Sequence, residues 1–71
     1  MAEVVDSDEL LRRIQRARDC ARQEKRTWRT RSEELRSADP EGARDAAMRA
    51  VAHGAVLTAL EEILTPGKHV G

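Results

Sequence analysis

Aromatic side chains are almost missing from this sequence: there is no Phe or Tyr, and Trp28 stands alone. Neither an aromatic-rich core nor a platform for stacking nucleobases is therefore available. Cysteine is equally scarce. Cys20 has no second thiol to pair with, which excludes an intrachain disulfide and points to a reducing, cytoplasmic setting. Long apolar runs are absent as well. The most apolar window, 46–64, contains Arg49, His53, Glu61 and Glu62, so no membrane span is expected. The opening Met1-Ala2-Glu3-Val4-Val5-Asp6 lacks the basic and apolar regions of a signal peptide.

A net excess of either charge is missing too, since 13 basic and 13 acidic residues cancel. The charges are nonetheless segregated. Residues 1–11 carry four acids and no base, 12–36 carry ten bases against four acids, and 37–71 carry five acids against three bases. Such a dipolar chain can pair with itself or present one basic face to a partner. Arg outnumbers Lys eleven to two and Ala is as frequent as Arg, the bias of a GC-rich bacterial or phage genome.

Proline is rare, and its position organises the chain. Pro40 cannot continue an incoming helix, because it has no N–H and its ring collides with the carbonyl four residues back. It also pushes Asp39 out of the helical region. The same pair starts a helix well, with Asp39 as N-cap and Pro40 at the first position. Upstream, Asp6-Ser7-Asp8-Glu9 is a good helix start, with Asp6 or Ser7 as cap and Glu9 placed to complete a capping box. Downstream, Thr65-Pro66-Gly67 is a stop. The expected fold is all-α: one domain, an antiparallel two-helix hairpin with helices near 7–37 and 40–64, a frayed stretch 1–5 and a mobile tail 66–71.

In the first helix Ile14, Ala21, Trp28 and Leu35 recur every seven residues, with Leu10, Ala17, Glu24 and Arg31 as the companion seam position. Pairs at helical spacing are expected between Asp8 and Arg12, Glu9 and Arg13, and Glu33 with Arg29 and Arg36. The second helix shows a wide apolar arc of Met48, Val51, Ala52, Ala55, Val56, Ala59, Leu60, Ile63 and Leu64, broadened by Leu57. Gly54, Thr58, Glu61 and Glu62 mark its solvated side. One neighbouring helix cannot cover so wide an arc, and a 71-residue chain has few large apolar side chains to bury. Self-association into a homodimeric four-helix bundle is the expected remedy.

Catalytic chemistry has little to stand on. His53, His69 and Cys20 show no zinc-site spacing, Cys20 has no activating histidine at helical spacing, and Glu61 and Glu62 diverge on a helix. No enzyme, metal or cofactor is expected. The residues assigned to an oligomer or partner interface are Trp28, Val56, Leu57, Leu60, Ile63 and Leu64; the seam position of Trp28 also explains it as packing across the hairpin. Arg18, Arg22, Lys25, Arg26, Arg29 and Arg36 form a basic face on the first helix. The sequence thus favours a non-catalytic module that binds itself and another protein by helix packing. The alternative is a nucleic-acid-binding rod using that basic face, weakened by the zero net charge.

Overall fold

The computed structural model describes residues 6–67, and these form two helices, α1 over Ser7–Leu35 and α2 over Pro40–Leu64, packed against each other. The anticipated stretch 1–5 and the tail from Lys68 onward lie outside the described residues. Asp6 caps α1, its Oδ1 accepting the Glu9 N–H at 2.7 Å. The return arm of the expected capping box is replaced: the Glu9 carboxylate reaches forward to Arg12, Arg13 and Arg16 at 3.3, 3.1 and 3.6 Å.

Helix α1 stops at Leu35, two residues before the expected end at 37. The reason is local. Arg36 N–H already bonds to the Glu33 carbonyl, a tightened turn, and Asp39 N–H returns to the Leu35 carbonyl at 2.8 Å. Asp39 then caps α2, accepting the Gly42 N–H at 3.0 Å. A Cβ at Gly42 would run into the Asp39 carboxylate, so a larger residue there would have to displace the cap. At the far end, Thr65 N–H bonds to the Glu61 carbonyl at 2.8 Å, and Gly67 turns the chain away at φ +84°.

The two helices meet along small side chains. The buried residues are Ala21 on α1 and Ala43, Ala46, Ala50 and Leu57 on α2. Around them lie half-buried Ile14, Arg18, Lys25, Trp28, Ser32 and Leu35 from α1, and His53, Gly54, Leu60, Glu61 and Leu64 from α2. On α2 the contact residues 43, 46, 50, 53, 57, 60 and 64 alternate steps of three and four, the seam of antiparallel helix pairing. Short side chains let the backbones approach, and the Ser32 hydroxyl donates directly to the Ala43 carbonyl at 2.8 Å.

Two sequence expectations are corrected by this seam. The companions of Ile14, Ala21, Trp28 and Leu35 are Arg18, Lys25 and Ser32; of the expected set only Glu24 is half-buried, whereas Leu10, Ala17 and Arg31 are exposed. An aliphatic arginine or lysine stem covers alanine well while its charged head stays in water. On α2, Gly54 and Glu61 do not face solvent but lie half-buried towards α1. Gly54 sits beneath the Lys25 stem, and Glu61 reaches the Arg22 guanidinium at 3.4 Å.

Candidate interaction surfaces

Leu57, Leu60 and Leu64 turn towards α1 with the alanines, but four other large apolar side chains of α2 point the other way. Met48, Val51, Val56 and Ile63 are 67, 73, 51 and 60% exposed. At about 100° per residue they share one side of α2 with the exposed alanines 52, 55 and 59, opposite Ala43, Ala50 and Leu57. This side is continuous apolar surface along more than four helical turns, a type of patch that marks interaction sites. The residues assigned from sequence to an interface divide accordingly. Val56 and Ile63 stand free on the outward face. Leu57 is buried inside the hairpin, and Leu60, Leu64 and Trp28 are half-buried along its seam. Met48 and Val51, absent from that assignment, are the most exposed large apolar residues among those described.

Trp28 packs at the seam with the Arg49 guanidinium carbon 4.9 Å from its ring centroid. Arg49 is held there by Asp45 at 3.1 Å. On the same flank His53 Nε2 lies 3.9 Å from a Glu24 carboxylate oxygen, an ion pair whenever the imidazole is protonated.

The basic face of α1 runs along the opposite flank. Two of its six members are already tied to carboxylates: Arg18 to Asp19 at 3.0 Å, and Arg22 to Glu61 at 3.4 Å and Asp19 at 3.9 Å. Lys25, Arg26, Arg29 and Arg36 make no ion pair with any described carboxylate. The expected pairs of Glu33 with Arg29 and Arg36, and of Asp8 with Arg12, do not form among the described residues; Arg12 turns to Glu9 instead. Between these cations and α2 runs an open groove of 690 Å³, lined by Lys25, Arg29 and Arg36 on one side and by Ala47, Ala50, Val51, Gly54 and Ala55 on the other.

Among the described residues Glu9 is the one group with a clearly displaced protonation equilibrium. Hydrogen bonding from Arg13 is the largest influence; desolvation comes next and opposes it, but the Arg12 hydrogen bond and the charge and hydrogen bonding of Arg16 leave the carboxyl below the ordinary glutamate range. Its role is structural, since it binds three arginines of its own helix.

Cys20 is exposed, and among the described residues no group of three or more His, Cys, Asp or Glu is arranged to hold a metal ion. His69 lies outside the described residues. No described helix is long and apolar enough to cross a membrane. No family model matches the chain, and no curated protein or solved structure is found to be similar to it.

Proposed function

We propose that this chain is a small, non-catalytic protein–protein interaction module of the cytosol, and that its first partner is a second copy of itself. The observation that carries this reading is the outward face of α2. Met48, Val51, Val56 and Ile63 contribute nothing to the hairpin seam and remain more than half exposed. Burying such side chains is worth roughly 1.5–3 kcal/mol each, so a surface that covers them is strongly favoured.

A two-fold antiparallel dimer suits the charges as well. The half of the hairpin nearest the turn, residues 22–52, holds eight cations against six carboxylates. The open half, residues 6–21 and 53–67, holds four cations against six carboxylates. Antiparallel docking sets each half against the opposite half of the other copy, and the result is a closed four-helix bundle. The rival reading, a rod that follows a nucleic-acid backbone, uses the basic face of α1 and leaves the apolar face of α2 without a role.

Sedimentation equilibrium at micromolar concentration tests the proposal. The expected species has twice the 8.0 kDa chain mass. Replacing Val56 and Ile63 together by Glu should return it to the monomer mass. A stable, fully helical monomer of the unaltered chain would overturn the reading.

A further inference from the structure

The groove on the basic flank adjoins the outward face, sharing Val51 and Ala55 with its edge, and it has its own recognition chemistry. Its floor is a row of short side chains on α2: Ala47, Ala50, Val51, Gly54 and Ala55. Its wall carries Lys25, Arg29 and Arg36 against the single carboxylate of Glu33, a net positive edge, with Arg26 beside Lys25 and Arg29 in the adjoining hollow. We propose that this groove docks an amphipathic helix of a second protein, one that lays small apolar residues on the floor and Asp or Glu along the wall.

Charge complementarity selects the occupant. These four cations have no ion pair with a described carboxylate, whereas Arg18 and Arg22, nearer the open end, are neutralised within the hairpin. The floor selects its class. Alanine, glycine and valine admit the close approach of a helix, while a nucleic-acid backbone would contact the wall and leave the floor bare. Four of the chain's own acids, Glu9, Asp19, Asp45 and Glu61, are already held by arginines of the same hairpin. The second copy is assigned to the outward face of α2, and the groove to an anionic helix from a different protein.

The docking rests on the interaction-module reading, and its test fails separately from it. Helical 20-residue peptides, randomised on one face, are selected by display against the full-length chain, and the recovered sequences are measured by fluorescence anisotropy. The expected winners carry Ala, Gly, Ser or Leu at helical spacing with Asp or Glu along one edge. Reversing Arg29 and Arg36 together to Glu should weaken their binding roughly tenfold or more. Ala47→Arg adds a cation but obstructs the floor, so it should weaken binding too; tighter binding would mean attraction without seating, and would overturn the proposal. So would a selection that recovers no acidic helices. Tighter, steeply salt-dependent binding of duplex DNA or RNA at about 0.15 M salt would reassign the groove to nucleic acid. A change of oligomeric mass in the Arg29/Arg36 variant would make the groove an interface between copies. A monomer that still binds the acidic helices refutes self-association alone.

Discussion

The guanidinium of Arg49 covers the ring of Trp28, 4.9 Å from its centroid, and so joins the one aromatic of α1 to the middle of α2. Asp45 holds Arg49 in place from the preceding turn at 3.1 Å. Since Trp28 is the only tryptophan in the chain, its emission reports on this one site. Arg49→Ala should redden Trp28 emission by admitting water and cost about 0.5–1 kcal/mol in urea unfolding. Arg49→Lys should retain part of both effects. An unchanged spectrum in Arg49→Ala would show that the ring is shielded by other groups.

Gly54 is a helix-interior glycine whose missing side chain nothing requires. A methyl there would meet the Lys25 Cδ and Cε at 3.5 Å, ordinary van der Waals distance. Gly54→Ala should therefore stabilise the hairpin by about 0.8–1 kcal/mol, raising Tm by about 4–8 °C in a chain of this size. A lower melting temperature would mean that the Lys25 stem cannot adjust.

Asp39 and Gly42 should show a reversal of sign. Asp39→Ala removes the cap and should cost about 1 kcal/mol. Gly42→Ala displaces the same carboxylate and should destabilise the native hairpin by a comparable route. Once Asp39 is alanine, the obstruction is gone, and adding Gly42→Ala should stabilise through helix propensity. Thermal melts of the four proteins form a double-mutant cycle. Simple additivity would refute the clash.

The arginine cluster at Glu9 makes the start of α1 sensitive to acid. The carboxyl is held below its ordinary value when folded, so its contribution is fully present above the unfolded glutamate value. It falls away as pH drops through the lowered folded value. A carboxyl-detected NMR titration should place Glu9 below the other glutamates. Glu9→Gln should flatten the acid dependence of helicity at residues 7–16. An ordinary titration for Glu9 would show that the three arginines do not act on it.

Folding and association should separate by residue. Leu57→Ala empties the largest buried side chain of the seam and should cost about 2–5 kcal/mol, enough to unfold so small a hairpin. Met48→Glu lies on the outward face and should leave the intrachain seam untouched while lowering the dimer population. Circular dichroism across a dilution series distinguishes the two. Equal losses of helicity in both variants at every concentration would contradict the division.

The chain reversal was legible because its causes are local: Asp39 and Pro40 act on their immediate neighbours, and the cap and stop positions follow from them. The direction in which α2 faces was not. The apolar arc is wider than one helix can cover, and its large members Met48, Val51, Val56 and Ile63 turn away from α1 while Leu57, Leu60 and Leu64 turn towards it. The governing signal was the three-and-four spacing through Ala43, Ala46, Ala50, His53, Leu57, Leu60 and Leu64, which small and polar members disguise. Gly54 and Glu61 read as solvated by type, yet a long Lys25 or Arg22 stem from α1 reaches over them. Helical spacing gathers the basic residues on one side of α1, but which of those cations find carboxylates depends on rotamers that spacing alone does not fix.

Ala46, only 1% exposed at the centre of the seam, has no room for even one more methylene without pushing the helices apart. The outward side of α2 carries no such restriction, because none of its side chains holds the pair together. Inheritance can therefore act on the two sides at different rates. The alanine seam is constrained by the geometry of the hairpin itself, while the opposite side is constrained only by whatever covers it. A scaffold divided in this way can change its associates repeatedly without passing through an unfolded ancestor.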